Sequence, residues 1–152
     1  MTEPVTGAPP QPADELEEVL RIVCSASSVQ AQAAALGTPG ASSSSRHDVR
    51  IEPTRFASIR SVALRRWTSD EFGEADLELQ PGREWRTSDL ERLVGPLHGA
   101  ALRPGRLPRI LGSFERDGLP AWAAVALEID DADVTTERVV GVRIRTEPNV
   151  DG

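Results

Sequence analysis

The stretch RILGSFERDGLPAWAAVALEID, residues 109–130, contains the pattern that decides the fold. Its two apolar halves flank Asp117-Gly118, a dipeptide favoured in tight hairpin turns because glycine tolerates a positive φ. In the second half, alternate residues share one face of a strand: Ala121, Ala123, Val125, Leu127 and Ile129. The intervening positions are also largely apolar, which is typical of a central strand covered on both sides. The stretch therefore predicts an antiparallel hairpin in the middle of a sheet.

Three further segments carry strand patterns around this hairpin. RVVGVRIRT, near the end of the chain, places Val140, Val142 and Ile144 inward and predicts the last strand. ADLELQ at 75–80 alternates cleanly before Pro81-Gly82, which forces a turn. FASIRSVALRRW at 56–67 alternates imperfectly and predicts a strand with a bulge near Ser61. Together these segments predict a sheet of about five strands.

A helix is predicted between the ADLELQ strand and the hairpin at 109–130. Ser88 and Glu91 have the spacing of a capping box, and apolar residues follow at helical intervals before Gly95-Pro96 ends the pattern. The loop at 99–109 holds two prolines, two glycines and three arginines. This order of elements predicts an α+β domain over 49–148, with a mostly antiparallel sheet and one or two helices packed on one face.

The segment that precedes this domain has a different composition. Residues 1–12 contain four prolines and no apolar periodicity, and they are predicted to be disordered. Residues 13–37 are predicted to be an amphipathic helical segment that begins with Asp14 as the N-cap and carries an apolar stripe. Residues 38–48 have the composition of a flexible Gly/Ser linker. We therefore expect a tethered arm, whose stripe docks either on its own domain or on a partner.

Composition excludes several classes of chemistry. All seventeen cationic residues are Arg, a bias typical of a GC-rich bacterial genome, and the absence of Lys excludes Schiff-base and P-loop mechanisms. A single cysteine, Cys24, excludes an intramolecular disulfide and a multi-thiolate zinc site. The net charge of -7 disfavours nucleic acid and anionic membranes as partners. With no apolar run long enough to span a bilayer, and no signal peptide at Met1, we expect a cytoplasmic protein.

No catalytic, cofactor-binding or metal-binding residue is predicted. His47 lies in the linker and His98 follows the predicted helix, so neither has a metal or catalytic spacing. Cys24 lies beside an apolar stripe, which favours a buried and inert thiol. The acidic residues between Asp130 and Glu137 lack the glycine and terminal glutamate of an EF-hand loop, so a solvated turn is the preferred interpretation.

The preferred functional hypothesis is a non-catalytic protein-binding or accessory module with no cofactor, whose partner is another protein or a second copy of the chain. In this hypothesis the tethered helix and the Arg-rich loop bind a protein partner, because an amphipathic helix on a flexible linker is suited to helix-in-groove recognition. The residues predicted to make that contact are Leu16, Leu20, Val23, Arg103, Arg106 and Arg109. The alternative is a small-molecule-binding or enzymatic domain with a pocket between sheet and helices, lined by Trp67, Trp85, Phe114 or Trp122.

Overall fold

The architecture is α+β, with a large antiparallel sheet. A computed structural model describes residues 11–25, 29–40, 48–65, 73–81, 85–99, 108–130 and 137–148. In these ranges it contains three helices and nine strands, which confirms the predicted class and exceeds the five strands expected from sequence. None of the helices in these ranges is long and apolar enough to cross a membrane.

The helices and strands follow one another in a simple order along the chain. The helices are α1 (Pro12–Val23), α2 (Val29–Leu36) and α3 (Thr87–Val94). The strands are β1 (Gly37–Pro39), β2 (Asp48–Thr54), β3 (Ile59–Arg65), β4 (Glu74–Leu79), β5 (Trp85–Arg86), β6 (His98–Gly99), β7 (Arg109–Phe114), β8 (Ala121–Ile129) and β9 (Arg138–Pro148). Their order in the sheet is β1-β2-β3-β4-β9-β8-β7-β6, and β5 also pairs with β9.

The predicted hairpin is present and is formed by β7 and β8, which lie between β9 and β6 in the sheet. β7 and β8 pair antiparallel, and β8 pairs on its other side with β9. The Leu119 N–H donates to the Arg116 carbonyl at 3.3 Å, which closes a turn around Asp117 and Gly118. Gly118 has a φ of 89°, the left-handed conformation for which glycine is favoured.

The strands missed by sequence analysis are short or have an irregular pattern. β1, β5 and β6 contain only two or three residues each, too few to show a period. β2 includes Pro53 and several polar residues, yet it pairs with β3 from Asp48 to Ile51. The strand predicted at 56–67 is β3, and a register shift between Ile59 and Ser61 confirms the predicted irregularity.

Alternation divides the sheet into two chemically different faces. On β8 the residues from Ala121 to Ile129 are alternately buried and half-buried. Val125 and Leu127 lie on the buried side, which we call the inner face. Ala124 and Ala126 lie on the opposite side, which we call the outer face, and they are not fully covered by the described residues.

The N-terminal helices belong to the same core as the sheet, so the expectation of a tethered arm is wrong. Leu16, Leu20 and Val23 are 0%, 0% and 1% exposed, and they lie in one apolar cluster with the inner face. The predicted linker also contributes to the sheet, because β1 overlaps its first two residues and the Gly40 N–H donates to the Arg50 carbonyl at 2.7 Å. Residues 41–47 of that linker, and the predicted disordered residues 1–10, lie outside the described residues.

A buried carboxylate fixes α1 to the turn between β2 and β3. Glu15 is 4% exposed, and its two oxygens accept the backbone N–H groups of Ala57 at 3.2 Å and Ser58 at 3.1 Å. In the same turn, Arg55 forms an ion pair with Glu18 of α1 at 2.7 Å, and its Nε donates to a carbonyl of α2. The two Glu15 contacts join residues 42 and 43 positions apart in the chain.

The helix starts differ from those predicted. α1 begins at Pro12 after Gln11, two residues before the predicted cap at Asp14. α3 begins at Thr87, and the Asp89 carboxylate accepts the Arg86 N–H at 3.1 Å in place of the predicted Ser88–Glu91 pair. The end of α3 before Gly95 agrees with the sequence-based prediction.

Glu15→Gln should lower the free energy of unfolding by about 1–3 kcal/mol, because an amide leaves one of the two buried N–H groups without an acceptor. Glu17→Gln, on the same helix but partly exposed and paired only with Arg21, is the matched control and should cost less than about 0.5 kcal/mol. Urea unfolding followed by circular dichroism gives both values. Equal effects of the two substitutions would mean that Glu15 does not anchor the helix.

Candidate functional site

The helical residues predicted to bind a partner lie in the core. Leu16, Leu20 and Val23 contact other buried side chains of the same domain, and this burial removes them from any surface that another molecule can reach. The amphipathic stripe thus stabilises the domain. The prediction that these three residues bind a partner is wrong, because they are buried in the core.

The arginines predicted to bind a partner divide between described and undescribed parts of the chain. Arg103 and Arg106 lie outside the described residues. Arg109 is the first residue of β7, where it pairs in register with Glu128 of β8 on the outer face. Of the predicted binding residues, Arg109 is the one that the described structure places at a candidate site.

A single row of cross-strand partners crosses the outer face from β2 to β6. Direct partners in an antiparallel sheet have their side chains on the same face. From one side of the sheet to the other, the row reads Arg50, Ala63, Asp76, Arg143, Ala126, Leu111 and His98. The row is charged over β4 and β9 and becomes apolar over β8 and β7.

This change in side-chain size creates a depression on the outer face. It has a volume of about 370 Å³, and its floor includes Ala124 and Ala126 of β8 and Leu111 of β7. The charged and polar residues that line it come from the neighbouring strands: Glu74, Asp76, His98, Arg109, Arg143 and Arg145. The depression exists because two alanines on the central strand are flanked by strands with much longer side chains.

Two guanidinium groups share one carboxylate at one end of the depression. Glu128 Oε2 lies 3.3 Å from Arg143 Nε and 3.5 Å from Arg109 Nη2. One negative charge thus faces two positive charges, so this end carries a surplus of positive charge. Arg145, also on β9, pairs instead with Glu147 at 2.8 Å.

Arg109 has an unused donor at this end. Its Nε–H is shut off from solvent and has no hydrogen-bond acceptor in the described structure. A buried donor without an acceptor costs about 1–3 kcal/mol relative to a satisfied one.

A glycine on β9 makes room for the shared carboxylate. Gly141 is the direct partner of Glu128, and a Cβ at Gly141 would lie 2.9 Å from Glu128 Oε1. Real Cβ atoms do not come that close to an oxygen. The missing side chain therefore lets Glu128 lie beside both arginines.

Two carboxylates of β4, Glu74 and Asp76, line the side of the depression across from Arg109, and Asp76 is the direct cross-strand partner of Arg143. Asp76 forms an ion pair with Arg65 at 3.4 Å. Glu74 lines the depression and is half-buried, and it has no ion pair or side-chain hydrogen bond to any residue described. The depression is therefore polarised, with unbalanced positive charge near Arg109 and Arg143 and an unpaired carboxylate at Glu74.

In the described ranges, the other chemistry-bearing side chains do not gather into a metal site. Among the residues that the structure describes, no group of three or more His, Cys, Asp or Glu side chains is arranged to hold a metal ion. His98 is exposed on β6, beside the depression, and Cys24 is buried in the core. His47, Asp131 and Asp133 lie outside the described ranges.

The depression is not where the alternative hypothesis placed a pocket. Trp85 and Phe114, two of the suggested pocket residues, are 1% and 0% exposed in the core, and Trp67 lies outside the described residues. Trp122 is on the outer face with Ala124 but does not line the depression. The sequence signal for the depression was the pair of small residues at alternate positions of β8, opposite the alternating arginines of β9.

Comparison with protein-family models, with curated proteins and with solved structures finds no match to this chain.

Proposed function

We propose that the protein is a binding module and that its ligand is a small organic molecule with a carboxylate, held in the depression on the outer face. The observation that carries this proposal is the pair of guanidinium groups, Arg109 and Arg143, that share the single carboxylate of Glu128 beside an apolar floor.

The size of the depression supports a ligand of metabolite size. Pockets for small molecules usually have volumes of about 300–1,000 Å³. A volume of about 370 Å³ is at the lower end of that range. The apolar floor formed by Ala124, Ala126 and Leu111 favours a ligand with an aliphatic or aromatic body attached to its charged group.

The arginines at the depression are suited to bind a carboxylate. A guanidinium group presents its donors in a planar fork that matches the two oxygens of a carboxylate. Arg143 and Arg145 have side chains that are 50% and 65% exposed, so a ligand can reach them. Both extend from β9, whose pairing with β4 and β8 holds their backbone in place.

Packing of the helices supports the choice of the outer face. A Cβ at Gly112 would clash with the Val94 carbonyl at the end of α3, on the face that Val125 shares. The buried side chains of α1 and α2 join the same apolar cluster. We infer that all three helices cover the inner face and leave the outer face to a ligand.

A protein partner, including a second copy of the chain, is the second candidate. The favouring observation is the outer edge of β7: in the described residues β6 pairs only with Ile110 and Leu111, and no described strand pairs beyond them at Ser113. An open edge can accept a strand from another chain. Analytical ultracentrifugation that shows dimers at rising protein concentration would support this candidate. A monomer at every concentration would exclude a second copy of the chain as the partner.

Arg143→Gln should weaken the binding of hexanoate at least about tenfold, because it removes one of the two cations at the end where the carboxylate binds; a tenfold loss corresponds to about 1.4 kcal/mol. Arg50→Gln is the matched control. Arg50 belongs to the same cross-strand row, but it lies on β2 and pairs with Glu52 and Glu78 outside the depression. Isothermal titration calorimetry measures both affinities, and equal losses would contradict the proposed site.

Ala126→Leu should abolish hexanoate binding without lowering the melting temperature, because the added carbons fill the floor of the depression and not the core. Ala63→Leu makes the same change in the same cross-strand row, on β3 outside the depression, and should leave binding intact. Calorimetry and thermal unfolding followed by circular dichroism test both variants. Undiminished binding by Ala126→Leu would place the ligand elsewhere.

A further inference from the structure

We propose that the ligand is a linear amino carboxylate, with its amine at Glu74 and its carboxylate at the Arg109–Arg143 end of the depression. This inference rests on the proposed function and names the ligand class for the same site. It follows from the unpaired charge at each end, from the distance between the ends and from the apolar floor between them.

The Glu74 carboxylate is the group that we expect to bind the ligand's ammonium group. Its two cross-strand neighbours are arginines, yet each is engaged elsewhere: Arg65 pairs with Asp76 at 3.4 Å, and Arg145 pairs with Glu147 at 2.8 Å. A half-buried carboxylate that has lost part of its hydration favours an opposite charge nearby. A ligand ammonium group would supply that charge.

The charge distribution of the site disfavours a simple anion. A molecule with only a carboxylate would use the surplus positive charge at Arg109 and Arg143 but would leave Glu74 unpaired inside the same depression. A second negative charge on the ligand would be repelled by Glu74 and Asp76. A ligand with one positive and one negative group matches both ends, and electrostatic complementarity of this kind gives specificity.

The distance between the two ends requires the ligand's charges to be far apart. Through the register, Glu74 lies level with Ser113 of β7, three strands away, and Arg109 lies four residues further along β7. These offsets place the Glu74 and Arg109 backbones about 14 Å apart across the strands and about 13 Å apart along them. Arg143 starts one strand from Glu74, but its Nε lies 3.3 Å from Glu128 Oε2, so both guanidinium groups meet beside Glu128, two strands from β4. An α-amino acid, whose two charged groups share one carbon, is too short to join Glu74 to the guanidinium groups beside Glu128. A chain with the charges at opposite ends can lie over the alanine floor.

The test compares ligands that differ only in where their charges lie. The probes are 6-aminohexanoate, hexanoate, hexylamine and norleucine, which is an isomer of 6-aminohexanoate with both charged groups on one carbon. Calorimetry on the full chain should show 6-aminohexanoate binding about tenfold more tightly than hexanoate. Norleucine should bind no more tightly than hexanoate, and hexylamine should bind more weakly than 6-aminohexanoate.

Glu74→Gln should remove the advantage of 6-aminohexanoate over hexanoate while leaving hexanoate binding unchanged or tighter. Glu78→Gln is the matched control, since Glu78 is on the same strand and face but pairs with Arg50 and Arg60 outside the depression. It should keep the full advantage. The comparison of the two isomers on the unsubstituted protein does not depend on how either variant folds.

Two results would overturn the inference in distinguishable ways. Equal affinities for 6-aminohexanoate and hexanoate, or for 6-aminohexanoate and norleucine, would show that Glu74 contributes no cation site, although carboxylate binding would stand. Failure of all four probes to bind would overturn the proposed function together with the ligand class. Retention of the 6-aminohexanoate advantage in Glu74→Gln would also contradict the role of Glu74.

Discussion

The alternation of side chains along β8 is the constraint on which both the core and the candidate site depend. A strand directs successive residues to opposite faces, so one stretch of nine residues has to serve two surfaces. Val125 and Leu127 belong to the inner face, where the helices' apolar side chains complete the core. Ala124 and Ala126 belong to the outer face, where their small size leaves the depression open between the longer side chains of β9 and β7.

The two faces are connected through the anchoring of the helices. α1 contributes its apolar stripe to the core, and Glu15 fixes it to the turn between β2 and β3 through two backbone N–H groups. The charged side chains that line the depression lie on the outer face. There, the missing side chain at Gly141 leaves room for the end of Glu128 beside Arg109 and Arg143.

Sequence analysis predicted the elements whose patterns are local. The central hairpin, the last strand and the end of α3 before Gly95 follow from period-two alternation, turn chemistry and helix-stop signals, and the structure has all three. The stripe of α1 was recognised, but the surface that covers it comes from distant parts of the chain, so a free arm was a reasonable and wrong expectation. Strands of two or three residues carry no pattern at all. The candidate site was missed because it depends on register: only the pairing of Asp76, Arg143 and Ala126 in one row shows which side chains meet.

The central claim is that the outer face around β8 binds the ligand, and amide chemical shifts test it most directly. In a ¹H–¹⁵N titration of the full chain with 6-aminohexanoate, the largest changes should fall on β8, β9 and β7, around Ala124, Ala126, Arg143 and Leu111. The amides of α1 and α2 should be nearly unchanged. Saturable changes confined to the helices, or none anywhere on the sheet, would contradict the account.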